Sequence, residues 1–206
     1  MPPTLLLATN NAGKQREFRE LLADCGWELV VPAALRITLD AEENGRTYAE
    51  NATIKAVAAA KAAKIPALAD DSGLEVDALH GAPGLFSERY AGPGATDADR
   101  RAKLLRELER VPEPSRTARF RCAIAIAVPE GSAVHVSVHE GEVQGVILMH
   151  ERGEGGFGYD PLFLIPELGR TMAELRPEEK NEVSHRGRAA RSACIELRSI
   201  AAPLDR

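Results

Sequence analysis

The chain has 206 residues, 44% hydrophobic and 28% charged, ordinary values for a globular protein able to bury a substantial core. Its 26 basic against 31 acidic side chains give a formal net charge of −5, which argues against a generally basic nucleic-acid surface and leaves any polyanion to be met by local geometry. The longest apolar run is the seven residues Cys122 to Val128, so neither a membrane span nor a signal peptide is expected.

At roughly 150 residues per domain, one domain, or one domain with two lobes, is the expected organisation of 1–206. The opening Thr4 to Ala8 reads as a buried strand that enters the polar turn Thr9-Asn10-Asn11-Ala12-Gly13. Phe18, Leu21, Leu22 and Cys25 then follow helical spacing, with Gly26 as the stop. Thr47-Tyr48-Ala49-Glu50 is a capping box opening an alanine-rich helix to about Lys64. A strand from Ile65 to Ala69 is expected to end on Asp70-Asp71-Ser72-Gly73, placing acids at a strand's carboxyl end.

Gly81 to Gly94 carries four glycines and two prolines, too many for regular structure. A third helix, from near Thr96 to Arg110, turns Leu104, Leu105 and Leu108 inward. Arg119 to Val128, and Val134, Val136 and Val138 in alternation, read as two strands joined across Pro129 to Ser132. Leu162 to Ile165 is a further apolar run, and a last helix is expected from about Ser184. The whole pattern predicts an α/β fold, a mixed sheet flanked by helices.

Cys25, Cys122 and Cys194 lie far apart without a C-x-x-C pair, so no disulfide framework and no cysteine zinc site is expected, and a reducing, cytosolic home fits. His80, His135, His139 and His150 lack metal-ligand spacing and read as structural or solvated.

Gly13-Lys14 after a strand lacks the flanking residues of a Walker A loop, yet helix-start amides and the Lys14 ammonium are suited to phosphate oxygens, with Thr9 and Asn11 adding short donors. Gly153 to Gly158 satisfies G-x-G-x-x-G, but Tyr159-Asp160-Pro161 follows where a dinucleotide site needs a helix. That loop instead presents Phe157 and Tyr159 for stacking on a flat base or for burial in the core. Asp70-Asp71 can send only one carboxylate to a given face of a strand, so one binds and one braces. Glu42-Glu43 is a second acidic pair, and such oxygens are what Mg²⁺ accepts. Lys180, Ser184, His185 and Arg186 cluster near the start of the last helix, where donors attract anions or keto oxygens.

The stretches ATNNAGKQREF at 8–18, TYAENATIKA at 47–56, ALADDSGLEVDAL at 67–79, GAPGLFSERYAG at 81–92, GGFGYDPLF at 155–163 and EEKNEVSHRGRA at 178–189 together resemble the Ham1/RdgB family. These pyrophosphatases act on deaminated purine nucleoside triphosphates. The resemblance implies an elongated mixed sheet with flanking helices, two lobes around a nucleotide-binding cleft, and usually a homodimer. It implies Mg²⁺-dependent hydrolysis of ITP, dITP and XTP to the monophosphate and pyrophosphate.

By motif position, Thr9, Asn10, Asn11, Ala12, Gly13 and Lys14 would hold the triphosphate. Glu43 and Asp71 would hold the metal, with Asp71 and Lys14 catalytic. Ser72, Phe157, Gly158, Tyr159, Asp160, Lys180, His185 and Arg186 would complete the nucleotide site. Asn10 stands where many relatives have glycine, and asparagine tolerates left-handed backbone best among other residues. Glu88 replaces a common small residue. A donor to the 6-keto oxygen from His185, Arg186 or nearby amides would reject adenine. The competing readings are a Maf-type nucleotide pyrophosphatase and a catalytically silent nucleotide-binding regulator.

Overall fold

The computed structural model describes residues 1–39 and 42–201. In chain order the elements are β1 (Thr4–Leu7), α1 (Ala12–Leu21), β2 (Glu28–Val30), α2 (Tyr48–Ala63), β3 (Ala67–Val76), α3 (Asp97–Glu107), β4 (Thr117–Glu130), β5 (Ala133–Ile147), β6 (Phe163–Ile165), β7 (Arg170–Thr171), α4 (Pro177–Val183) and α5 (His185–Ala201). The seven strands form one mixed sheet in the order β2-β1-β3-β4-β5-β6-β7. An α/β fold with a mixed sheet is what the alternation of periods predicts. By compactness the chain divides into two units: Met1–Asp71, Cys122–Gly141 and the segment from Arg186 onward in the first, and Ser72–Arg121 with Glu142–His185 in the second.

In the first unit β1 runs parallel to β2, with Leu5 opposite Leu29, and parallel to β3, with Leu7 opposite Leu68. Parallel neighbours need crossovers, and α1 and α2 supply them. Leu5, Leu7, Phe18, Leu22, Leu68, Ile124, Ile126 and Leu197 form the unit's core. α1 ends at Leu21, before Cys25, and the left-handed Gly26 closes the following turn instead of the helix itself. At the head of α2, Thr47 Oγ accepts from the Glu50 N–H at 3.1 Å. The expected reciprocal bond reaches one residue further back, Glu50 Oε2 taking the Arg46 N–H at 2.6 Å.

Three expectations are corrected in this unit. β3 does not stop at Ala69 but continues through Asp70-Asp71 to Val76, because the carboxylates find cationic partners and leave the backbone free to stay extended. Cys25 and Cys194, 169 residues apart, form a disulfide with Cα atoms 5.2 Å apart, so cysteine spacing misled. Cys122 stays a buried free thiol. Asn10 is absent from the residues with positive φ, so its tolerance of left-handed backbone is not called upon.

In the second unit Leu74, Leu104, Leu108, Phe120, Phe163 and Met172 form the core. Thr96 and Asp99 make a full capping box at α3. The last helix, expected from about Ser184, is α5, which begins at His185, and the short helix α4, which carries Lys180, precedes it. β2, β7 and α4 are too short for a periodic signal.

Candidate active site

The first unit collects charged side chains where β1 gives way to α1. Asn11 caps that helix, its side-chain oxygen accepting the Lys14 N–H at 3.1 Å, and Thr9 Oγ1 takes the Asn11 N–H at 3.2 Å. The cap thus uses one amide of the first turn; those of Ala12 and Gly13 belong to the group that a helix start leaves without intrahelical partners.

Lys14 reaches Asp70 Oδ2 at 3.0 Å. Arg186, at the start of α5, also reaches Asp70 at 3.3 Å and Glu17 of α1 at 2.6 Å. Asp70's side chain is 0% exposed. Burial alone would raise its pKa, but Lys14, Arg186 and Lys55 outweigh it and hold the carboxyl far below the usual range. Asp70 is therefore the bracing member of the pair.

Asp71 faces α2. Asn51 Nδ2 donates to its Oδ2 at 3.1 Å, and the Lys55 ammonium lies 3.3 Å from its Oδ1. The same ammonium lies 3.4 Å from Glu43 Oε2. Burial lifts the Asp71 pKa, opposed by Lys55 and Lys14, and the net direction is upward. Burial pulls Lys55 down, but Asp71, Asp70 and Glu43 hold it above its ordinary value. Two carboxylates from distant stretches of sequence thus converge on one cation. Asn51 and Lys55 stand one helical turn apart inside TYAENATIKA, and that i, i+4 spacing was the unread signal that both face the acids. Glu17 was missed likewise.

Among the described residues no three His, Cys, Asp or Glu side chains group as a metal site. Two carboxylates with room for waters and phosphate oxygens are nevertheless the donor set Mg²⁺ takes. Glu43 and Asp71 already share a single positive charge, so they fit a hard divalent cation.

The second unit holds the remaining candidates. Asp160, buried, accepts from the Phe157 N–H at 2.8 Å and from Lys180 Nζ at 2.5 Å. The left-handed Gly156 lets this happen, since a Cβ there would lie 2.1 Å from Asp160 Oδ2. The Lys180 ammonium sits 4.9 Å above the half-buried Phe157 ring. Gly158 is pinned at both ends of its peptide unit to α3, its N–H donating to Asp97 and its carbonyl accepting from Arg101.

Tyr159 is a correction: its ring is 4% exposed and its hydroxyl donates to the Ser87 carbonyl, so it packs in the core and offers no stacking face. His185 is buried and stacks on Phe120 with 4.7 Å between ring centroids. The Arg186 guanidinium, 3% exposed, pairs with Glu17 and Asp70. Ser72 lies half-buried on β3, and Glu88 is exposed.

Fold and charge constellation define the class as an α/β protein with paired acidic and basic groups beside a helix start. The Ham1 family model matches residues 5–195. A dITP/XTP pyrophosphatase of Desulforamulus reducens is 54% identical over 189 residues, 92% of each chain. One from Geobacillus kaustophilus is 53% identical over 90% of this chain and 89% of its own. The solved HAM1 protein from Coxiella burnetii is 44% identical, with a TM-score of 0.85 over 96% of this chain and 99% of that one. The chain belongs to the Ham1 family.

Proposed function

We propose that this protein is a nucleoside triphosphate pyrophosphatase that hydrolyses deaminated purine nucleotides, ITP, dITP and XTP, to the monophosphate and pyrophosphate. The observation that carries the reading is the convergence of Glu43 and Asp71 on Lys55 in the same unit as Lys14 and the α1 start. Relatives at 54% and 53% identity are named dITP/XTP pyrophosphatases, which supports the substrate class.

Lys14 and the first-turn amides of α1 neutralise the phosphate oxygens. Asp71 takes the proton of the water that attacks the α-phosphorus. Glu43 and Asp71 would hold Mg²⁺, which when bound would supply positive charge against the charge that develops on the departing pyrophosphate. The Phe157 face, backed by Lys180, suits the purine ring, and a hydrogen-bond donor at the 6-keto oxygen would set donor to donor against adenine's amino group. Thr9, Asn10, Asn11 and Ser72 add short polar groups.

A homodimer in the cytoplasm is part of the same proposal. No described helix is long and apolar enough to cross a membrane. The test is pyrophosphate release from ITP, XTP, UTP and ATP with and without Mg²⁺. Release from ITP and XTP only, with Mg²⁺, is the expected result; preferred cleavage of UTP favours a Maf-type enzyme, and no release from any nucleotide a silent binder. Asp71→Asn is expected to lower kcat by at least about 100-fold, with ITP binding still measurable. Near-normal turnover in that variant removes Asp71 from the chemistry.

A further inference from the structure

Asn51 is the fourth residue of α2 and is 2% exposed. Its Oδ1 accepts the Gly45 N–H at 2.9 Å and its Nδ2 donates to Asp71 Oδ2 at 3.1 Å. A backbone N–H can only donate, so the oxygen of the carboxamide must face Gly45 and the amino group must face Asp71. One side chain therefore joins the segment that carries Glu43 to the carboxylate of β3. The seat is close: a Cβ on Gly45 would lie 2.7 Å from Asn51 Oδ1, 2.8 Å from Glu50 Cβ and 2.9 Å from the Asn51 nitrogen. Arg46, next in the chain, fixes the same segment through its N–H to Glu50. Asp71 is thereby divided between two rungs of one helix, Oδ2 to Asn51 and Oδ1 to Lys55.

We infer that Asn51, seated on Gly45, is the positioning residue that holds Glu43 and Asp71 in one arrangement for a divalent cation. The inference rests on the reading that these two carboxylates take the metal. Partners behind a ligand set its orientation, and their loss weakens metal affinity by about 10–100-fold. Asn51 touches neither substrate nor metal in this scheme, and its effect passes through the carboxylate it orients.

The experiment measures Mn²⁺ binding by electron paramagnetic resonance on the full chain, and the Mg²⁺ concentration giving half-maximal ITP turnover. Asn51→Leu, close in shape, removes both bonds. Gly45→Ala disturbs the seat while leaving the Asn51–Asp71 bond its donor. Glu43→Gln and Asp71→Asn report on the metal site itself. Leu197→Ala, a core truncation, controls for lost stability, and thermal melting shows which variants are folded. Expected is Mn²⁺ affinity reduced roughly tenfold or more in both Asn51→Leu and Gly45→Ala, a matching rise in the Mg²⁺ requirement, and a near-unchanged KM for ITP at saturating Mg²⁺.

Wild-type Mn²⁺ affinity in whichever of the two variants folds, with binding lost in Glu43→Gln and Asp71→Asn, overturns the inference and leaves the metal reading standing. A weakening in Leu197→Ala equal to that in the Asn51 variant also overturns it. Mn²⁺ binding that is indifferent to Glu43→Gln and Asp71→Asn sinks the metal reading itself.

Discussion

The adjacent acids Asp70 and Asp71 show how one strand register separates two chemistries. Side chains alternate across a strand, so Asp70 turns to Lys14 and Arg186 while Asp71 turns to Asn51 and Lys55. Fully buried, Asp70 keeps its charge only because cations surround it, and its stabilising contribution is whole above the unfolded carboxyl pKa near ~3.9. A depressed folded pKa means that this contribution is lost as pH falls toward the folded value, so its window opens below about pH 4. Asp70→Asn leaves the buried Arg186 short of one anion and should cost about 3–5 kcal/mol at pH 7. In urea titrations the gap between wild type and variant should narrow below about pH 4; a gap that stays constant with pH would show that the ion pairs do not set the Asp70 charge.

Elements were legible where sequence signals were local. The runs at β1, the periodicity of α1 and the Thr47 cap of α2 could be read because each signal spans only a turn or a few strand residues. Lys14, Glu43 and Asp71 likewise stand in short patterns, and the structure pairs Lys14 with Asp70 and both Glu43 and Asp71 with Lys55. What the sequence hid is long-range: Arg186 meets Glu17 across 169 residues, and Cys25 meets Cys194 across the same separation. No spacing rule reaches so far. The disulfide ties the turn after α1 to α5, which His139 also holds to β5 through Ser192 and Glu196. Closing so long a loop restricts the unfolded chain, for a stabilisation of about 2–5 kcal/mol, so a reductant that reaches the bond should lower Tm by roughly 5–15 °C. Alkylation read by intact mass checks the pairing. Cys122 is buried with its thiol pushed up to about 12, so the native protein should take no label. Unfolding without reductant should expose one thiol, and unfolding with reductant three. Three labels without reductant would show that the bond is absent.

On the scale of the molecule, a net charge of −5 is set against the strongly anionic nucleoside triphosphate proposed as substrate. The local cluster does not reverse that sign. Lys14, Lys55 and Arg186 stand among Glu17, Glu43, Asp70 and Asp71, three cations within four carboxylates, each cation already paired. A bare triphosphate would meet a site with a formal surplus of negative charge, and each lysine it recruited would be drawn from a carboxylate. A divalent cation bound to Glu43 and Asp71, as proposed, would invert the balance and release Lys55 from holding two acids together. Binding of metal and nucleotide should therefore be coupled, and reciprocally so. Calorimetry on the Asp71→Asn variant would blunt the effect, since one ligand is gone. The direct measurement is on wild type, with ITP in EDTA against ITP with Ca²⁺ under conditions where turnover is undetectable. Affinity should rise roughly tenfold or more with the cation, a coupling of the size typical between linked sites. Equal affinity in the two conditions would mean that Lys14 and the α1 amides suffice for the phosphates, and that the acids serve the attacking water alone.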